Sequence, residues 1–382
     1  MQGIICLNFL QVAHMDRHTE QQQLISQRIN YFRKARGLKQ QELSELMAFN
    51  QRQTLSDIER GERMVKPKEL IRFAEILNVK PTAFLDAFEP AVDVEFSWRT
   101  NDEHTAFAEF EQRGRNIINL LTTLRRKLNI APASVSSLPL GEKNSYEDAQ
   151  NAAERLVLEH DLGPYPGKVL NKLYEVLNID CIYLELPDFI SGAAMVSDEA
   201  LLAVINAKQV RGRRNFDKAH ELFHCLTWRT MKPMHIDRVK LNRNSKRSRT
   251  EQLADAFAGA LLMPSDSLQT AITDDITLES LTSVANNFEV SFDALVWRLV
   301  SLGNLTNADA QHLLKQEREP GNGDAENLKP HSLMSHSYLS VIAKGIEHGL
   351  ISVRRVATLL GISIDALHDA YHQHGMDAPF DM

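Results

Sequence analysis

Cysteine is scarce in this 382-residue chain: Cys6, Cys181 and Cys225 stand far apart. Three scattered thiols build neither a disulfide framework nor a cysteine-ligated zinc site, which fits a reducing compartment and gives a cytoplasmic expectation. Long apolar runs are missing as well. No stretch reaches the roughly 18 uninterrupted apolar residues of a membrane span, so no membrane partner is expected. The apolar run from Ile4 to Val12 is short, lacks a basic flank and has no small-residue cleavage site, so it is not read as a secretion signal; Met15 is a second candidate start. No low-complexity block dominates the composition, and 43% hydrophobic with 24% charged residues leaves room for two or three globular domains. An excess of positive charge is lacking too. The balance of -7 excludes a protein that coats nucleic acid generally, so any DNA contact has to come from a local patch.

What is present centres on His220-Glu221-Leu222-Phe223-His224, the pattern H-E-x-x-H. On a helix, residues four apart share a face, so both imidazoles point at one metal ion with Glu221 beside it as a base. Zinc suits that pattern, and a catalytic zinc keeps three protein ligands and one water. Glu251 can supply the third ligand from a second predicted helix, with Asp255 one turn further along the same face. Zinc lowers the pKa of a water it binds; Glu221 takes the proton and later returns it to a leaving amine.

Two blocks, Arg213 to His224 and the segment Glu-x-x-Ala-Asp-x-Phe-Ala-x-x-Leu-Leu-Met-Pro from Glu251, resemble the ImmA/IrrE family of zinc metallopeptidases in order and spacing. Members are bacterial and phage regulators, some of which cleave helix-turn-helix repressors. The resemblance implies His220, His224 and Glu251 as ligands and Glu221 as general base. Asp255 stands where Asn is frequent, and an Asp there still hydrogen-bonds a ligating imidazole from behind.

Between Arg28 and Arg72 there are 11 Lys/Arg against 6 Asp/Glu, the local basic patch. Ile25, Ile29 and Phe32 recur at helical spacing up to Gly37, a second helix is predicted over Lys39 to Met47 and a third over Gln51 to Arg60. Gln40 to Ser44 together with Leu55 to Arg63 resembles the Cro and lambda-repressor class (XRE family) of DNA-binding domains. Two departures are Ala48 in place of the turn glycine and one extra residue before Ile58-Glu59-Arg60-Gly61. That geometry aims Gln51, Arg52, Gln53 and Ser56 at base edges and Arg60, Arg63, Lys66 and Lys68 at phosphates. The alternative is a solvated helix start on a dimerisation module.

The chain thus divides into a helix-turn-helix domain at 21–85, a helical connector and linker at 86–144, a metallopeptidase domain with following helices at 145–315, and a small helical region at 331–382. The fold class expected is mostly α with a small β-sheet: an all-α N-terminal domain, an α+β zincin-like domain and a helical C-terminal region. Phe107, Phe110, Ile117, Leu121, Leu124 and Leu128 mark one face of a long helix that either packs on its own domain or pairs in a homodimer. Ala131 to Gly141 reads as an exposed Pro/Ser/Ala linker. Ser145 to Asp148 forms a helix N-cap box. Ile179 to Leu186 reads as a strand, and Ala193 to Val196 with Leu201 to Asn206 as a hairpin whose edge could pair with an extended substrate. Arg238 to Arg249 holds a second basic run with solvated loop as its default reading. His368 and His372, four apart without a third ligand, read as a polar face. The functional expectation is a regulator that binds operator DNA and cleaves a repressor-type protein, itself or a partner; the rival is a non-catalytic zinc-fold sensor or antitoxin-type repressor that binds only DNA and protein.

Overall fold

The computed structural model describes residues 20–51, 53–88, 94–100, 107–131, 137–238, 248–272, 276–316 and 333–381. The chain divides into two compact units, residues 1–93 with 115–123 and residues 94–114 with 124–382.

In the first unit, α1 runs through residues 20–35 and is followed by α2 (Gln40–Leu46), α3 (Gln53–Glu59) and α4 (Pro67–Leu77). Helix starts are set by local chemistry: the Glu42 carboxylate takes the Lys39 N–H at 2.7 Å, and Glu69 takes that of Lys66 at 2.9 Å with Pro67 at the first helical position. Ala48, where the resembled family has glycine, adopts φ +56°, a left-handed conformation that costs an L-residue roughly 1 kcal/mol. The turn is nonetheless closed by Phe49 N–H to the Ser44 carbonyl at 3.1 Å, and Phe49 packs edge-on against Phe73. Ile29, Leu43, Leu55, Ile58, Phe73 and Phe84 form the core. Beside it, Arg33 and Glu59 make a buried ion pair at 2.6 Å that ties α1 to α3.

The second unit is built on a five-stranded sheet of order β2-β4-β3-β1-β5, where β1 is Glu95–Thr100, β2 Asp180–Leu184, β3 Ile190–Val196, β4 Leu201–Asn206 and β5 Ile236–Arg238. β3 and β4 form the expected antiparallel hairpin, β2 pairs parallel with β4, and β1 pairs antiparallel with β3 and parallel with β5. The stretch read as a connector therefore contributes a strand to the sheet, and the hairpin has no free edge: β4 and β3 each lie between two neighbours. The pattern misleads because β1 is buried on both faces over five of its six residues and shows no polar alternation.

The long helix α5 spans Ala108–Lys127; Phe107, Ile117, Leu121 and Leu124 are buried, and Phe110 and Leu128 are half-buried. Of the segment read as an exposed linker, residues 132–136 lie outside the described residues. Its other end is packed: Leu138 donates its N–H to the Leu226 carbonyl at 2.9 Å and Leu140 is buried, because both leucines have apolar surface to cover. The N-cap box at Ser145 opens α6 (Tyr146–Glu159) as expected. α7 (Leu170–Val176) precedes β2, and α8 (Arg211–Thr227) lies against β3 and β4 with α9 (Arg249–Leu262) packed on it. α10 (Ser265–Ala271), α11 (Leu278–Phe288), α12 (Phe292–Ser301) and α13 (Asn307–Lys315) follow. The C-terminal helices α14 (His336–Glu347), α15 (Val353–Leu360) and α16 (Ile364–Gln373) are tied in by a bridge from Met334 to Ile182 and by the Ser337 hydroxyl on the buried Asp180 carboxylate at 3.0 Å. The basic run's residues 239–247 lie outside the described residues.

Candidate active site

α8 runs through the centre of the second unit: from Asp217 to Thr227 every residue is buried, on all faces of the helix. His220 and His224 lie one turn apart with their Nε2 atoms 3.0 Å from each other. Glu251, held near the start of α9 where the Ser248 hydroxyl caps the helix, brings Oε2 to 3.0 Å from His220 Nε2 and Oε1 to 3.3 Å from His224 Nε2. One donor atom from each of the three side chains lies within 4.8 Å of the others, and no other such group occurs among the described residues. His368 and His372 approach each other to 3.2 Å on α16 with no third ligand.

This donor set fits zinc. Two imidazole nitrogens and a carboxylate oxygen, converging in a site where they are at most 1% exposed, are the ligands of a three-residue zinc site, and their 3.0–3.3 Å spacings match neighbouring ligands on a metal about 2 Å from each. Burial opposes ionisation of Glu251, yet His224 and His220 outweigh it and hold its carboxyl well below the usual range. Glu221 sits differently. Burial pushes its carboxyl up to about 8, against the pull of His220 and Arg99 and with repulsion from Glu251 and Asp217.

Behind the ligands runs a line of charges that sequence reasoning found only in part. Asp255 Oδ1 meets His220 Nδ1 at 2.9 Å, as expected for a group that fixes the imidazole tautomer. Arg99, on β1, reaches Asp217 at 2.8 Å and Asp255 at 3.4 Å; Asp217 in turn takes Arg213 Nε at 3.0 Å. Burial works against the Arg99 charge, but Asp255 and Asp217 overcome it and raise its pKa. Asp217 carried a signal, four residues from Arg213 and three from His220 on the helix. Arg99 carried none, being 118 residues from its partner in sequence. Gly192 on β3 was also missed: a Cβ there would lie 2.7 Å from the Val204 carbonyl oxygen, so the close approach of β3 and β4 requires glycine, and Glu221 lies in ordinary contact beside it at 3.6 Å.

In the first unit, Gln51 and Gln53 are exposed at the start of α3, with Gln53 donating to Asp57 at 2.9 Å. Arg52 lies outside the described residues. Ser56 is half-buried and accepts from Arg60 at 2.9 Å. Arg60 pairs with Asp57 and Glu62, and Arg63 with Glu69 at 2.8 Å, while Lys66 and Lys68 are exposed. Gln51, Gln53 and Ser56 thus gather at one helix start, whereas the two arginines are already held by carboxylates.

Fold and site together define a helix-turn-helix domain joined to a metallopeptidase-like α+β domain. Residues 29–84 match the helix-turn-helix family, and residues 175–300 match the IrrE N-terminal-like domain of the M78 peptidases. The chain is a fusion of these two modules, an XRE-type reader and an ImmA/IrrE-type domain. A comparison with curated proteins gives no match.

Proposed function

We propose that the protein is a cytoplasmic regulator that binds operator DNA through its first unit and, through zinc held at His220, His224 and Glu251, hydrolyses a peptide bond in a repressor-type protein, either a partner or this chain. The observation that carries this reading is the convergence of those three donors beside Glu221 within the IrrE-like match. When bound, zinc supplies Lewis acidity and an activated water. Asp255, by accepting the His220 Nδ1 proton, leaves the Nε2 lone pair for the metal. Glu221, beside these donors, is the candidate to take a proton from the attacking water and deliver it to the leaving amine. Arg99 balances the two aspartates so that Asp255 remains an acceptor.

No helix among the described residues is long and apolar enough to cross a membrane. Gln51, Arg52, Gln53 and Ser56 are assigned to base edges and Lys66 and Lys68 to phosphates, with Arg60 and Arg63 reaching phosphates only by leaving their carboxylates. A second reading, a zinc-fold sensor that binds without cutting, is favoured by the closure of the site, whose ligands and base are at most 1% exposed. Metal analysis with cleavage assays on wild type and Glu221→Gln separates the two. The peptidase reading expects equal zinc and cleavage by wild type alone; zinc with no cleavage of any helix-turn-helix protein supports the sensor.

A further inference from the structure

A peptidase that binds its substrate as an added strand needs a sheet edge beside the metal helix. Within the 175–300 match, that edge is the side of β3 not paired to β4, because Gly192 of β3 is the residue that abuts Glu221. It is occupied. β1, from outside the matched residues, pairs antiparallel with β3 from Glu95↔Val196 to Arg99↔Gly192, and the register shifts between Arg99 and Thr100. The residue opposite Gly192 sends its side chain to the line of groups behind the metal ligands: Arg99 is 5% exposed and bonded to Asp217 and Asp255. A cavity of about 960 Å³ lined by Phe216, Asp255 and Trp297 opens up to Arg99, but none of His220, Glu221, His224 or Glu251 lines it. Arg99 and Asp255 thus border both that cavity and the line of groups behind His220.

We infer that Glu95–Thr100 is an internal pseudosubstrate: it fills the substrate-strand position on β3, seats Arg99 in an acidic subsite made by Asp217 and Asp255, and has to be displaced by an extended segment that carries an arginine at the same position. This inference takes its meaning from the peptidase reading and deepens it by naming the substrate class and the device that holds the enzyme closed. Three observations converge on it. The centre is sealed although chemistry there requires access. The strand comes from beyond the IrrE-like match. A register shift falls next to the base, the place where such irregularities let pairing end. The two aspartates also explain why the opposing side chain is a cation: emptied, the subsite would leave the buried Asp217 and the partly exposed Asp255 facing the incoming strand, and arginine reaches one with each terminal nitrogen.

The test reads strand release and peptide binding without turnover, in full-length, zinc-loaded protein carrying Glu221→Gln. Hydrogen exchange is followed at the amides of residues 95–100, and a fluorescein-labelled peptide Glu-Phe-Ser-Trp-Arg-Thr is titrated against the protein. Adding Arg99→Ala is expected to speed exchange of the strand by about tenfold or more relative to β4 and to tighten binding of the labelled peptide. The same peptide with alanine for its arginine then binds about tenfold more weakly or worse. Should Arg99→Ala fail to fold, the pair Ser97→Cys with Ala194→Cys decides, since these residues face each other across the strands. Its oxidised form is expected to slow exchange and exclude the peptide, and reduction to return both to the parent's values. A strand that exchanges as slowly as β4, with peptide binding unchanged by the disulfide, would make β1 a fixed part of the sheet and overturn the inference. Because neither the exchange nor the titration needs cleavage, an enzyme that proves inactive fails separately, in the cleavage assay of the active form.

Discussion

Glu221 gives the sharpest prediction, because its burial makes it a pH-dependent liability in the metal-free protein. Its carboxyl is pushed from the ordinary value of 4.5 to about 8 in the fold. Between those values the folded state holds a proton that the unfolded chain has released, so stability is full below pH 4.5 and falls as pH rises toward 8. The slope attributable to this one group is about 1.4 kcal/mol per pH unit, or roughly 3 kcal/mol between about pH 5.5 and pH 7.5. Other groups titrate in the same window, so the measured quantity is the difference between wild type and Glu221→Gln after chelation of metal. At roughly 2–4 °C per kcal/mol for a unit of this size, wild type should lose about 6–12 °C more of its melting temperature across that range than the variant. Zinc should shrink the gap, since a neighbouring cation favours the ionised carboxylate. Parallel melting curves for the two metal-free proteins would refute the claim that Glu221 is buried in its neutral form.

Three further outcomes follow from named contacts. Purified protein should carry about one zinc per chain, His224→Ala or Glu251→Ala should release it, and Glu221→Gln should retain it, as read by metal analysis; near-full zinc in both ligand variants would remove those residues from the metal. Arg33→Ala leaves the buried Glu59 carboxylate without its cation, held only by Gln40 at 2.7 Å, and should destabilise the first unit by about 3–5 kcal/mol, seen as loss of its cooperative unfolding and of DNA binding; an unchanged unfolding profile would contradict the burial of the pair. Arg52→Ala should cost on the order of 1–3 kcal/mol on operator DNA, whereas Lys66→Ala should weaken all DNA about equally; equal effects of Arg52→Ala on specific and random DNA would make it a phosphate contact.

The legibility of this chain follows from the range of the interactions involved. His220, Glu221 and His224 declare themselves because a helix brings i and i+4 together, and Ser145 with Asp148 does so because a cap is local. Glu251 and Asp255 could be paired with them once a second helix was expected. Arg99 could not, because an arginine in an acidic, aromatic stretch looks like a solvated charge until a strand pairing buries it against Asp217. Gly192 was silent for the same reason: what forbids its side chain is the Val204 carbonyl of the neighbouring strand, which is not adjacent in sequence. Ala48 was visible as a departure, and the structure answers it with a left-handed alanine held by a turn hydrogen bond and the Phe49–Phe73 contact.

The central claim is that a DNA reader and a working peptidase share this chain. The most direct measurement is intact-mass spectrometry of zinc-loaded wild type and Glu221→Gln, each incubated alone and with helix-turn-helix proteins encoded beside it. The account predicts new fragments with wild type only, either from such a partner or from this chain near Ala131 to Gly141. Fragments formed equally by Glu221→Gln, or none from any of these proteins while zinc is fully bound, would contradict it.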